Sequence, residues 1–343
     1  MTGAGGSGSV LTRVATPMTK RTPIIPPSIS VDDFLPKPED GTLRRMKVIR
    51  DDREKDGALG ETGGFLHGYT HTFNPAVGCV LAGTWCGQYC YAQWETPARL
   101  LAEQLGLRWG EYLIVKQRIG DALERDLARA MRRDAAHPLH ISRLKIFMSS
   151  VTEPCAGPVL PVTRECLRIF GRYPIGRLVL QTRSPRVLEL LPELEALENR
   201  AIVSLTVESD SDTIWRDFEP TMLPRLRDRR AAVERLHARG VTASVTVSPC
   251  ARLADPGEFS AWIAQHSTYA VVDTFVAGDG RGGSRTEKTS IPSLFAAYGW
   301  PWSDETAARA LYEKIRRLMG ERAGWSKDGF NRLATLPGER ALN

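Results

Sequence analysis

At 343 residues, 42% hydrophobic and 25% charged, the chain is long and apolar enough for one large core or two domains. No apolar run reaches the roughly 18 residues a membrane span requires, and the opening MTGAGGSGSVLTRVATPMTKR lacks the compact apolar stretch of a signal peptide. The expectation is a cytoplasmic protein with no membrane partner. A formal charge of +6 is mild for this length: it is compatible with a nucleic-acid partner without specifying one, and its runs at 44–53 and 225–230 read as solvated faces.

In chain order, residues 1–30 mix Gly, Ser, Thr and Pro without periodicity and read as a loose lead-in. Residues 31–70 are polar, with turns at Gly57, Gly60, Gly63 and Gly64, and wrap the domain rather than forming one. A strand is expected at 72–78. It runs into a loop, TFNPAVGCVLAGTWCGQYCYAQW, that holds Cys79, Cys86 and Cys90 among Trp85, Tyr89, Tyr91 and Trp94, with turns at Gly83 and Gly87. In a reducing compartment such cysteines are ligands, reactive thiols or core fillers rather than disulfides. A thiolate triplet suits zinc or an iron–sulfur cluster with one coordination position left open.

Beyond the loop, helical and extended patterns alternate. Helices are expected at 97–107, 119–133, 163–170, 186–197, 224–239, 256–266 and 305–319, and strands at 144–150, 177–182, 201–207, 241–247 and 269–276. With 72–78 this makes six βα units, and the fold class is α/β, a partial (β/α)6 TIM-type barrel of parallel strands. The divisions are a lead-in and wrapping segment at 1–70, the barrel at 71–276, and a closing loop and helix at 277–343. Ligands of such folds gather at the carboxyl ends of the strands. Those ends carry the cysteine loop, the run from Ser149 to Cys155, Thr182-Arg183-Ser184, Glu208-Ser209, Ser248-Pro249-Cys250 and Gly278-Asp279-Gly280. Cys166 falls on the apolar stripe of its helix and reads as a core residue.

Several motifs stand in a telling order: Asn74-Pro75-x-x-Gly78-Cys79 with Cys90-Tyr91-Ala92; Ser150-x-Thr152-Glu153-Pro154; Thr163-Arg164-x-x-Leu167; Gln181-Thr182-Arg183-Ser184; Glu219-Pro220 with RDRRAAVERLHARG at 227–240; and Ser248-Pro249 with Asp255. Together they resemble the radical S-adenosylmethionine (SAM) superfamily and, within it, the spore photoproduct lyase-like branch. The resemblance spans 72–276. The cysteine spacing departs from it: six residues then three, against the superfamily's usual three then two.

The resemblance implies a [4Fe-4S] cluster on Cys79, Cys86 and Cys90, with the fourth iron chelating SAM. Reductive cleavage of SAM would then give a 5′-deoxyadenosyl radical that takes hydrogen from a DNA lesion or a small metabolite. It also implies an electron donor of the flavodoxin or ferredoxin type. Expected SAM contacts are Ser149, Ser150, Thr152 and Glu153 for the methionine end, Thr182, Arg183, Ser184 and Glu208 for carboxylate and ribose, Tyr91 for adenine, and Ser248. Arg183 suits a carboxylate through its guanidinium fork, although an Arg183–Glu208 pair is the structural alternative. Cys155 and Cys250 are the candidate hydrogen-atom donors. The competing reading is a zinc-stabilised nucleic-acid-binding protein in which His71 completes a site with the three cysteines. The Gly-rich run at 278–290 reads as a connector, with backbone phosphate binding as its alternative.

Overall fold

In the computed structural model, residues 46–82, 84–212 and 224–335 are described. The lead-in at 1–30, the turn at Gly83 and the Glu219-Pro220 pair lie outside them. Two strands precede the expected barrel, β1 (Lys47–Asp51) and β2 (Leu59–Glu61), so the wrapping segment is partly built into sheets. The expected strand at 72–78 is two strands, β3 (His71–Phe73) and β4 (Ala76–Gly78), in different sheets. Pro75 separates them, because a residue without an N–H cannot continue the ladder. β4 pairs antiparallel with β5 (Tyr112–Lys116), an element absent from the sequence reading, and β5 pairs parallel with β1 to complete a three-stranded side sheet.

The main sheet continues through β6 (Lys145–Met148), β7 (Arg177–Thr182), β8 (Ala201–Thr206), β9 (Ala243–Val247), β10 (Tyr269–Val272) and β11 (Ala323–Trp325). Its order is β2-β3-β6-β7-β8-β9-β10-β11, with every pair parallel except β2–β3. The end strands β2 and β11 do not pair with each other, so the barrel is partial. The short β11 was not foreseen, and it makes the C-terminal segment a strand of the sheet as well as its cover.

Helices return the chain between the strands. Pro256–His266 appears at its expected bounds. The expected helix 186–197 is instead a 3-10 turn, Pro185–Leu190, followed by Leu191–Ala196. Pro192 explains the break: proline is tolerated in the first turn of a helix, not inside one. Cys166 is fully buried in the helix Leu160–Gly171, as its spacing indicated.

The two faces of the sheet differ in chemistry. Side chains two apart share a face. Ile146, Met148, Leu178, Leu180, Val203, Leu205, Val245, Val247, Ala270 and Val272 pack outward under the helices. Phe147, Val179, Ile202, Tyr269 and Val271 form the inner floor, which Tyr69, Phe330 and Leu333 plug from below. Above that floor the same inner rows continue as Ser149, then Gln181 and Arg183, then Ser204, Thr206 and Glu208, then Ser244, Thr246 and Ser248, then Asp273. The barrel is oily at the bottom and polar at the carboxyl ends of its strands.

The floor depends on a close approach between β11 and the helix Ser326–Arg332. A Cβ on Gly324 would overlap Gly329 Cα. Gly324→Ala is therefore expected to cost roughly 1–3 kcal/mol by overpacking. Gly171→Ala, where a Cβ meets nothing within 4 Å, serves as the neutral control. Thermal unfolding followed by circular dichroism checks this; equal midpoints for the two variants would refute it.

Candidate active site at the strand ends

The cysteine loop is shaped by its own backbone. Gly78 has φ +87°, and a Cβ there would strike the Tyr112 carbonyl oxygen of β5. Cys79 opens a turn in which Ala82 N donates to Cys79 O at 3.0 Å. Thr84 then caps the short helix Trp85–Tyr89, its hydroxyl accepting from Cys86 N at 3.2 Å. A Cβ on Gly87 would collide with Ala82 O, so only glycine lets the helix lie against the turn. Cys90 ends the helix, and the Gln93 amide clasps its carbonyl oxygen at 3.0 Å.

The three thiols share one environment. Burial pushes Cys79 well up, and the neighbouring Cys86, Cys90 and Glu153 add to the shift. Burial also raises Cys90, against which Arg183 acts in the opposite sense. Among the described residues, no three His, Cys, Asp or Glu side chains are drawn together as a ready metal cage. The donor chemistry nonetheless fits an iron–sulfur cluster. Burial disfavours the thiolate forms of Cys79 and Cys90, and a cation joining the sulfurs would offset that cost.

His71 is not part of this group. Its Nδ1 lies 3.0 Å from Thr70 Oγ1, and burial lowers its pKa in a field set by Asp126, Arg133 and Glu61. The structure does not bring it to the cysteines, and the zinc reading loses its fourth ligand.

Asn74 joins the loop to the end of β6. Its Oδ1 accepts from Ser150 N at 2.8 Å and Val151 N at 3.2 Å, and its Nδ2 donates to Ser150 Oγ at 3.1 Å. Tyr91 OH donates to Ser150 O at 2.7 Å, which ties the residue after Cys90 to the same turn. The Lys116 amine, pushed down to about 8 by burial, donates to Asn74 O at 2.9 Å. Ser149 has φ +78° and faces inward. The Ser149 and Thr152 hydroxyls are buried without a hydrogen-bond partner among the described residues.

Glu153 and Thr182 are turned to the helix side. Glu153 accepts from Thr182 Oγ1, from Arg183 N at 2.9 Å and from Cys155 N at 3.0 Å, so it staples the end of β6 to the end of β7. Ser184 caps the next turn, accepting from Arg186 N at 3.2 Å. These three residues, expected as SAM contacts, have their polar atoms engaged in holding strand ends. Cys155 is fully buried in the outer core, whereas Cys250 is half-buried and its thiol is pushed up to about 12 by burial.

Arg183 and Glu208 form an ion pair, as the structural alternative had it. Arg183 Nη2 also donates to Ser248 O at 3.0 Å. The other Glu208 oxygen meets Arg229 at 2.5 Å, and Arg229 also bonds Thr206 O and Pro224 O at 2.9 Å. Arg229 is 0% exposed, which corrects the reading of 225–230 as a solvated run. Its spacing to Ala232, Val233 and Leu236 sets it on the buried stripe of the helix Leu226–Ala238. Burial opposes the Arg183 charge, but the fields of Cys86, Tyr89, Cys90 and Glu153 outweigh it and keep the guanidinium charged.

The Gly-rich run after β10 uses its own amides. Asp279 accepts from the backbone N of Arg281 at 2.6 Å, Gly283 at 3.0 Å, Arg285 at 2.9 Å and Thr286 at 3.2 Å. These donors are spent on Asp279, and the run is a connector.

Asp273 was missed in the sequence because it closes an otherwise apolar strand. It is 2% exposed and its pKa is raised to about 6, chiefly by burial and also by Glu305, despite hydrogen bonds from Ser326, Thr274 N and Ser248. Its folded pKa exceeds the unfolded value, so the stability it contributes is complete below about pH 4 and lost as pH rises to about 6. A rise of about two units corresponds to about 3 kcal/mol. Urea unfolding across this range should show the wild type weakening relative to Asp273→Asn by up to that amount; parallel pH profiles would contradict it.

No family model matches the chain, and no curated protein matches it. Solved structures do. A cysteine-to-serine variant of spore photoproduct lyase shares 15% identity over 81% of each chain, with a TM-score of 0.53. A variant of the same enzyme with bound AdoMet and dinucleoside spore photoproduct shares 14% identity over 81% of each chain, also at 0.53. A cysteine-to-alanine variant with dinucleoside spore photoproduct covers 84% of this chain and 88% of its own at 14% identity and 0.53. At such identities the likeness is one of fold, and that fold is the one the sequence motifs resemble.

Proposed function

We propose that the chain is a radical SAM enzyme. The observation that carries this is the placement of three neighbouring cysteines, Cys79, Cys86 and Cys90, beside the polar carboxyl-end face of an open parallel barrel. The AdoMet-bound structural relative supports the same reading. Cys79, Cys86 and Cys90 would hold three irons of a [4Fe-4S] cluster. When bound, such a cluster and SAM supply a single-electron cleavage that yields a 5′-deoxyadenosyl radical able to abstract hydrogen.

The chain's own residues bind, orient and exclude water. Ser149 Oγ, Thr152 Oγ1, Gln181 Oε1, Ser244 Oγ and Asp273 Oδ1 are buried polar atoms with no hydrogen-bond partner among the described residues. Buried polar groups are nearly always satisfied, so these atoms fit a polar ligand along the inner rows. Asn74 and Tyr91 orient the Ser149-Ser150 turn, and Glu153 with Thr182 fixes the neighbouring strand end. The apolar floor of Phe147, Val179, Ile202 and Val271 keeps water from entering below. Of the two candidate hydrogen-atom donors, the half-buried Cys250 is favoured over Cys155, which the core encloses. The electron would come from a flavodoxin- or ferredoxin-type donor.

Anaerobic reconstitution with iron and sulfide, followed by dithionite and SAM, should produce 5′-deoxyadenosine, and the Cys86→Ala variant should produce none. A colourless protein with stoichiometric zinc, or an intact cluster that never cleaves SAM, would overturn the proposal.

For substrate, the net charge of +6 and the dinucleoside-bound relatives favour a DNA lesion over a small metabolite. The expected result is tighter binding to ultraviolet-irradiated than to undamaged DNA, weakening as salt rises. No binding at low salt would assign the enzyme to small metabolites.

A further inference from the structure

The line of buried charge beneath the cysteine loop has a use that the binding roles above leave open. Arg183 is held on three sides: by the Glu208 carboxylate, by Ser248 O at 3.0 Å, and by the Tyr89 ring, whose centroid is 5.9 Å from its Cζ. Tyr89 lies on the helical turn between Cys86 and Cys90, and the guanidinium held against its ring sits within the electrostatic field of both thiols. Glu208 is anchored in turn by the fully buried Arg229. The charges run positive, negative, positive toward the loop. Buried charges are little screened by salt.

We infer that Arg183 is a positioning residue that sets the reduction potential of a cluster held by Cys79, Cys86 and Cys90, with Glu208 and Arg229 fixing its distance. The inference rests on the radical SAM reading. Reduction by an external one-electron donor adds one negative charge to the cluster. An immobile cation beside the thiolates favours that state, and net charge near the sulfurs is among the determinants of such potentials. Glu208 acts with the opposite sign. A residue whose task was only to grip the SAM carboxylate would leave the potential of the SAM-free protein unchanged.

The test is an anaerobic redox titration of the reconstituted full chain without SAM, using dithionite and monitored by electron paramagnetic resonance. Arg183→Gln should make reduction at least tenfold less favourable, a midpoint about 59 mV more negative. Arg183→Lys should retain most of the wild-type value, and Glu208→Gln should shift the midpoint in the positive direction. Circular dichroism establishes that each variant is folded. If Glu208→Gln fails to fold, the contrast between the Lys and Gln variants at position 183 decides. A folded Arg183→Gln protein with an unmoved midpoint overturns the inference while leaving the radical SAM reading intact, and so does a shift of the same sign in Arg183→Gln and Glu208→Gln. Failure of the unmodified chain to assemble any cluster overturns both.

Discussion

The site depends on how one buried carboxylate is shared. Glu208 is 0% exposed and lies between Arg183 and Arg229. Removing one member of a buried ion pair typically costs about 3–5 kcal/mol, because the remaining charge is stranded away from water. Here the remaining bonds go to main-chain oxygens at two strand ends, Thr206 O and Ser248 O, and before a helix, Pro224 O. The ion line therefore couples the ends of β7, β8 and β9 to the start of the helix Leu226–Ala238. Glu208, with two arginines on it, cannot neutralise both. Arg183 also lies in the field of Glu153 and of Cys86 and Cys90 in the cysteine loop.

The polarity gradient of the barrel follows from the same arrangement. Inner rows that begin with Phe147, Val179, Ile202 and Val271 end in buried polar groups, which need hydrogen-bond partners. Some of those polar groups satisfy one another: Gln181 Nε2 donates to Thr206 Oγ1 at 2.7 Å, and Ser204 Oγ meets Thr246 Oγ1 at 2.5 Å. Ser149 Oγ, Gln181 Oε1, Ser244 Oγ and Asp273 Oδ1 are left without partners along the same rows, from the level of Tyr269 up to the strand ends. A barrel filled wholly by packing would have no reason to bury them.

The strands β6 to β10 were legible because parallel strands buried on both faces read as short apolar runs. The inner hydroxyl rows were visible too, as VSLTV and TASVTV, once alternate residues are assigned to faces. What escaped had physical causes. β11 is three residues long and forms only because β10 offers it an edge. β5 is a clear apolar run, YLIVK, but its partners β1 and β4 come from segments that show no periodicity of their own. Arg229 was hidden by its neighbours: in RDRRAAVERLHARG charge dominates, and only the spacing to Val233 and Leu236 marks one arginine as buried. The polar strand ends were read as one class, whereas Glu153, Thr182 and Ser184 face the helices and Ser149, Arg183, Glu208 and Ser248 face inward.

The unusual cysteine spacing has a local explanation. Three intervening residues place Cys86 and Cys90 at i and i+4, one helical turn apart and on the same face. The chain is helical there, from Trp85 to Tyr89, with Thr84 as its cap. The six residues before Cys86 let the chain turn back after β4, and Gly87 lets that turn lie directly against the helix. The added residues are absorbed as a compact turn and cap, and short extensions of this kind cost little closure entropy. The helical turn also carries Tyr89 over Arg183, which brings the fixed cation beneath the loop. The longer loop is thus a small folded unit, docked through Tyr89 onto the end of β7, where Arg183 places a fixed positive charge.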